Sequence, residues 1–485
     1  MNIAEEFDLI VIGSGPGGQK AAIQGANAGL KVALVERERQ VGGTCVHYGT
    51  IPSKTLREIA LTIATLRRNA DVFAFTLKDD MEVSTLMRRL DMDLNSYTDF
   101  VAEYVNSPEI SYFHGRAALE DAHTVSLTTL KGSKSYLKTK YVVIATGSKP
   151  RTPPDIEVDH ENILDSDSIL SMVYLPRSLT VVGGGVIASE YASIFSLLGV
   201  KVTMFDRTPR PLMFMEPECT TKFLKDFTEN GGEYIGETQY ESIRWDSVSQ
   251  VITRLDNGTE ISSDKMLVAQ GRIANTARLG LEDLGIKLGR NGTIPVDNNY
   301  QTSVENIYAV GDVIGHPSLA SVSMEQGRRA ICHALGVNPG SKFELVPIGI
   351  YSVPELSSVG LSEEAAREEY GDDIIIGRAS FDEVARGQIA GIEDGLLKMI
   401  VHSKTLKILG VHIVAEGATD LIHAGEMAII NNNDVRVFLE NVMNFPNFGE
   451  AYRIAALNIV TKRANALDRQ PKSRVKNLIE QAELN

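Results

Sequence analysis

Cysteine is scarce in this chain. Cys45, Cys219 and Cys332 are the only three in 485 residues, and their scatter fits neither a disulfide framework nor a metal-ligand spacing. No metal site is expected. Basic charge is also short, because 48 Lys and Arg stand against 63 Asp and Glu and leave a formal net charge of −15. Proteins that bind nucleic acid through its phosphates need a basic footprint, so nucleic acid is excluded as a main partner. Long apolar runs are missing as well. The longest, such as YVVIATG and LTVVGGGVIA, stop far short of the roughly 20 residues that cross a bilayer. The opening MNIAEEFDLIVIG carries acids where a secretory leader carries basic residues, so the expected location is cytoplasmic, with no membrane partner.

What is present is an ordinary globular composition, 43% hydrophobic and 23% charged, with 41 glycines and no collagen period. The length predicts about three domains. Two segments about 170 residues apart repeat one pattern of strand, glycine turn, helix and strand. In the first, the run Phe7 to Ile12 leads into Gly13-Ser14-Gly15-Pro16-Gly17-Gly18, and a second strand from Lys31 ends on Glu36. In the second, Leu179 to Val182 leads into Gly183-Gly184-Gly185-Val186-Ile187-Ala188, and Lys201 to Phe205 ends on Asp206. Each acid lies 23 residues after the first glycine of its copy. The first glycine allows a tight turn, the second lets main chain approach a pyrophosphate, and the third lets helix pack on strand. The terminal acid can accept a ribose 2′-hydroxyl. Two such copies predict two dinucleotide sites.

Residues 55–106 read as helical, 111–150 as short strands, and Pro150, Pro153 and Pro154 mark a boundary. Beyond Pro347, runs such as LKMIVH and ILGVHIV alternate with helical stretches and predict an α+β domain. The segment from Lys462 onward is locally basic and reads as a solvated surface helix.

The run Val41-Gly42-Gly43-Thr44-Cys45-Val46-His47-Tyr48-Gly49-Thr50-Ile51-Pro52-Ser53-Lys54 resembles the flavin-proximal helix of the class I pyridine nucleotide-disulfide oxidoreductases, the family of dihydrolipoamide dehydrogenase and glutathione reductase. The resemblance continues at Ala145-Thr146-Gly147, Ala309-Val310-Gly311-Asp312 and Gly410-Val411-His412-Ile413, and so covers nearly the whole chain. It implies an α/β fold with two Rossmann-like domains, one for FAD and one for NAD(P), plus a C-terminal α+β dimerisation domain. The implied division is 1–150 and 275–343 for FAD, 151–274 for NAD(P) and 344–485 for dimerisation, giving a homodimer or higher homo-oligomer.

Two departures from the family's dithiol members stand out. Their second redox cysteine falls five positions after the first, where this chain has Thr50. Their acid/base histidine falls near the C-terminus at the position of Phe445, in Asn444-Phe445-Pro446-Asn447-Phe448-Gly449-Glu450, and the last histidine here is His423. With GTIPSKTLRE, DSDSILSM, YASIF and EAYRIAALN, this combination closely resembles the soluble pyridine nucleotide transhydrogenases, of the Si-specific type. The resemblance implies an enzyme that passes hydride from NADPH to NAD by ping-pong through FAD, with NAD and NADP as substrates. An NAD(P)H dehydrogenase that reduces quinones and a flavin-bound redox sensor remain open on the residues alone.

By the same resemblance, Gly13, Gly15, Gly18 and Glu36 hold the ADP half of FAD, and Gly43, Thr44 and Cys45 its pyrophosphate and flavin side. Asp312 takes the ribityl chain, and Arg37, Gly42, Ala117, Thr146 and Gly147 complete the FAD set. Lys54 and Glu190 are the implied catalytic pair beside the flavin. The pyridine nucleotide falls to Gly183, Gly185, Val186, Ile187, Asp206, Arg207, Arg210 and Gly271. Asp206 favours NAD, whereas Arg210 and, less strongly, Arg207 are expected to favour the 2′-phosphate of NADPH.

Overall fold

The computed structural model of the chain describes residues 5–70, 83–341, 345–392 and 394–468, with 83–88 and 467–468 described as backbone only. The basic tail beyond 468 and the expected boundary at 343 and 344 lie outside the described residues. The chain forms two compact units, one of Met1–Ala188, Leu197–Phe205 and Thr238–Lys342, the other of Ser189–Ser196, Asp206–Glu237 and Phe343–Asn485.

In the first unit, β1 (Glu5–Ile12), α1 (Pro16–Asn27) and β2 (Val32–Glu36) realise the first repeat. The run Leu9-Ile10-Val11-Ile12 is continuously apolar because the strand is covered on both faces. Leu9 and Val11 pack with Ala21 and Ala22 of α1, while Ile10 and Ile12 pack on the other face with Val125, Leu137 and Ile294. Helices α2 (Gly43–His47), α3 (Thr50–Asn69) and α4 (Val83–Val105) follow, so the expected single flavin-proximal helix is two, separated at Tyr48 and Gly49. Then come β3 (Ile110–His114), β4 (Arg116–Asp121), β5 (Thr124–Thr128), β6 (Lys134–Ile144) and β7 (Ser148–Pro150).

The sheet runs β3-β2-β1-β6-β5-β4. Its β3, β2, β1 and β6 are parallel, and strand Ile307–Ala309 lies parallel against the far end of β6. Ligands of such sheets bind outside the carboxyl ends of the strands, where Gly13, Ala145 and Val310 emerge. Helix Ala320–Ala334 packs close on α1, since a Cβ on Gly327 would stand 2.1 Å from the Gly17 carbonyl oxygen. The second repeat contributes parallel strands Ser178–Val182 and Lys201–Phe205, with Lys265–Val268 on the other side.

In the second unit, an antiparallel sheet runs Ile348–Ile350, Leu356–Gly360, Ile408–Val414, Leu396–His402 and Ile374–Ser380. Its core includes Phe381, Met399, Val411, Ile413, Tyr452 and Ile459. Buried Tyr452 satisfies its hydroxyl by donating to Leu421 O at 2.8 Å and accepting from Gly425 N at 3.1 Å. The ammonium of Lys398, 1% exposed, sits 2.6 Å from each of Glu216, Glu218 and Glu363. Arg378 makes a two-pronged contact with Glu218 at 2.7 Å per bond. The α+β expectation for this region is met. No helix among the described residues is long and apolar enough to cross a membrane.

Candidate functional site

The three glycines of the first fingerprint do three different things. Gly13 has φ +104°, and a Cβ there would stand 2.4 Å from the Ala145 carbonyl oxygen. A Cβ on Gly18 would stand 1.9 Å from the Gly13 carbonyl oxygen. Both are fixed by main chain. Gly15 is different, because no described atom lies within 4 Å of a Cβ built on it. It caps α1, with Pro16 in the first turn, and the open space beside it adjoins the free amides and positive end of the helix. Gly43 packs against Gly15, and Gly42 N donates to Ser14 Oγ at 3.1 Å. Glu36 is buried and accepts from Ser14 N at 2.8 Å, Ser14 Oγ at 2.7 Å and Glu38 N at 2.9 Å.

The structure thus brings Gly13, Gly15, Gly18, Glu36, Gly42 and Gly43 together around Ser14, which sequence reasoning passed over. Its hydroxyl sits in the variable position of the motif and carries no local signal. Arg37 is exposed and bonded to Glu38 at 3.0 Å. Ala117 is buried in the core on β4, so it offers a ligand only main chain. Gly147 has open space at its Cβ, and the Thr146 hydroxyl oxygen is buried with no hydrogen-bond partner among the described residues. An open glycine cradle at a helix start and an orphaned hydroxyl next to it fit a dinucleotide such as FAD.

The redox segment lies in the same unit. Cys45 is on α2, and the side chain of Thr50, which opens α3, lies close enough to its thiol to favour the thiolate. Burial pushes the Cys45 thiol up, the Thr50 side chain and the charge of Lys54 oppose this, and Asp312 adds to it. Cys45, Thr50, Lys54 and Asp312 therefore share one neighbourhood, while all three cysteines are free. Lys54 Nζ donates to Ser53 Oγ at 3.3 Å. Asp312 accepts from Ser148 Oγ at 2.7 Å, and Arg272 Nε donates to Ser148 Oγ at 2.8 Å. Thr44 lies on α2 beside Cys45. His47 Nε2 is 2.8 Å from Val41 O, and Tyr48 is 40% exposed, its phenol raised by burial and then by Glu38 and Asp167.

The second fingerprint repeats the logic. Gly183, at φ +123°, would place a Cβ 2.5 Å from the Ala269 carbonyl oxygen, whereas Gly185 and Gly271 meet nothing within 4 Å. Ala188 stands in place of the third glycine, with its methyl fully buried. Val186 and Ile187 start the following helix.

In the second unit, Asp206 accepts from Thr208 N at 2.9 Å and Thr208 Oγ1 at 2.8 Å. Arg210 directs its guanidinium to Leu212 O at 3.2 Å, Met213 O at 3.1 Å and Thr220 Oγ1 at 3.0 Å. Arg207 is exposed. Arg207 thus reaches solvent, while the Arg210 guanidinium is engaged within its own loop. Glu190 is buried and accepts from Tyr351 N at 2.9 Å. Lys54 belongs to the first unit and Glu190 to the second. Phe445 is 74% exposed, and Glu450 has a buried carboxylate oxygen without a hydrogen-bond partner among the described residues.

Comparison with known proteins gives the same picture. The family model described as pyridine nucleotide-disulphide oxidoreductase matches residues 7–327, and that of its dimerisation domain matches 346–456. A protein of Mycobacterium bovis named soluble pyridine nucleotide transhydrogenase is 40% identical over 465 residues, 94% of this chain and 98% of that one. One of the same name from Vibrio vulnificus is 40% identical over 463 residues, with the same coverage. Among solved structures, the HOCl-induced flavoprotein disulfide reductase RclA from Escherichia coli is 25% identical, covers 93% of this chain and 99% of its own, and superposes with a TM-score of 0.84. LpdA from Mycobacterium tuberculosis is 26% identical with a TM-score of 0.85 over 93% of this chain and 99% of its own. By sequence, fold and the placement of its glycine turns, this chain belongs to the pyridine nucleotide-disulphide oxidoreductase family, as a member with threonine in the position of the second redox thiol.

Proposed function

We propose that this protein is a flavoenzyme that transfers hydride between NADPH and NAD by ping-pong at one nicotinamide site, of the Si-specific type. The observation that carries the reading is Thr50 at the position of the second redox thiol, with its side chain beside Cys45 and all three cysteines free. The names and full-length coverage of the relatives at 40% identity support it.

FAD and NAD(P) are the family's cofactors, and bound FAD supplies two-electron hydride acceptance and donation. The residues of the chain do the rest. The main chain at Gly13 to Gly18 and Gly42 to Thr44 receives the pyrophosphate, Glu36 the ribose, and Asp312 the polyol chain. Lys54 is proposed to place positive charge where negative charge develops, with Glu190 as its partner in the manner of the resembling enzymes. Gly183, Gly185, Val186, Ile187, Asp206, Arg207, Arg210 and Gly271 are proposed to receive the nicotinamide nucleotide. The match to the dimerisation-domain model supports a homo-oligomer, with a homodimer and a cytoplasmic location as the finer proposal.

The test is acceptor profiling with NADPH in the absence of oxygen. NAD is expected to be reduced, while oxidised lipoamide and oxidised glutathione are not. Turnover with a soluble quinone but not with NAD would replace this reading by the quinone dehydrogenase.

A further inference from the structure

We infer that Arg272 is a positioning residue for the flavin, acting through Ser148 on Asp312; the inference rests on the proposed placement of Asp312 at the polyol chain. Ser148 Oγ stands 2.8 Å from Arg272 Nε and 2.7 Å from Asp312 Oδ2. A guanidinium has donors only and stays protonated, so the bond from Arg272 uses a lone pair of the serine hydroxyl. The single hydroxyl hydrogen of Ser148 is thereby directed at Asp312. With Oδ2 engaged, Asp312 keeps its other oxygen for a hydroxyl of the cofactor.

The rest of the fork holds the arrangement in register. Arg272 Nη2 donates to Ser148 O at 2.9 Å, and Nη1 donates to Ser166 Oγ at 3.2 Å and stands 3.6 Å from the Asp167 carboxylate. Strand Arg272–Ala274 pairs antiparallel with β7, and Asn275 Nδ2 donates to Thr146 O at 3.1 Å. One segment, Arg272 to Asn275, therefore grips Thr146, Gly147 and Ser148, and the Arg272 side chain alone sets the hydroxyl direction. The strand ladder does not depend on that side chain.

The experiment measures FAD release from the holoenzyme on dilution, followed by recovery of free-flavin fluorescence, with Tm recorded in parallel. Because hydrogen bonds to charged groups are the stronger class, R272M is expected to release FAD about tenfold faster or more. S148A removes the same bond with little loss of volume and is expected to do likewise. The double variant should release no faster than the faster single one, because both act on one bond path. R272K should recover only part of the effect, since an ammonium cannot reproduce the fork.

D312N separates the two layers of the argument. Fast release from D312N with wild-type release from both R272M and S148A overturns the role of Arg272 and leaves Asp312 on the flavin. Wild-type release from D312N overturns the placement of Asp312 itself. A lowered Tm with unchanged release in R272M and S148A assigns the arginine to fold alone and contradicts the inference. Should R272M yield no folded holoenzyme, S148A decides.

Discussion

Cys45 shows how one residue changes what a fold can do. A thiol that passes electrons through a disulfide needs a second thiol to close it, and the side chain beside Cys45 at that position is Thr50. Burial also keeps the thiol protonated, which lowers its reactivity. C45S is therefore expected to retain transhydrogenation within a few-fold and to keep its flavin, and arsenite should not inhibit the wild type. Loss of NADPH-to-NAD transfer in flavin-loaded C45S would count against this. At the nucleotide loop, R207A is expected to raise the KM for NADPH several-fold and leave that for NADH near wild type, with the NADPH value rising with ionic strength. R210A should affect both nucleotides alike, because the Arg210 guanidinium braces Leu212, Met213 and Thr220. Steady-state constants at two salt concentrations check both statements. The identities of Asp206, Arg207 and Arg210 were legible in sequence, but the bracing role was not, since nothing local shows where a guanidinium turns.

The strand, turn and helix of the first repeat are the element whose chemistry is most completely written in its sequence. Gly13 and Gly18 are required by neighbouring main chain, whereas the Cβ direction of Gly15 is open. Gly15→Val should accordingly fold, with a Tm near that of the wild-type apoprotein, yet purify colourless because its side chain takes the space of the pyrophosphate. Gly18→Val should fail to fold, its Cβ lying 1.9 Å from the Gly13 carbonyl oxygen. Absorbance at the flavin band and a melting curve distinguish the two. Motif glycines are readable because their spacing is local. The grip of Arg272 on Ser148 joins residues 124 apart and was invisible for that reason. The break between α2 and α3 at Tyr48 and Gly49 did have a local signal, Gly49 before the helix and Pro52 in its first turn, which the resemblance to one flavin-proximal helix overrode.

For the molecule as a whole, the second unit depends on charges that must stay paired. Glu218 is pulled down to about 2, first by Arg378 and then, against burial, by Lys398. A carboxylate depressed on folding stabilises the fold above its unfolded value and loses that contribution as pH falls through its folded value. Stability of this unit should therefore decline between about pH 4.5 and pH 2, as followed by circular dichroism. K398M, which leaves the buried Glu216 without its cation beside Glu218 and Glu363, should cost about 3–5 kcal/mol in denaturant unfolding. The strands and helices beyond Pro347 were legible from alternation. The charge cluster was not, because Glu216, Glu218, Glu363 and Lys398 approach only after folding.

The central claim, hydride transfer by a flavin with no dithiol, is tested most directly by reductive titration of the holoenzyme under anaerobic conditions. One equivalent of NADPH per flavin should bleach the visible band with no second phase of uptake, and added NAD should restore the band while NADH forms in equal amount. Uptake of two equivalents before full reduction, or a band that NAD fails to restore, would contradict the account.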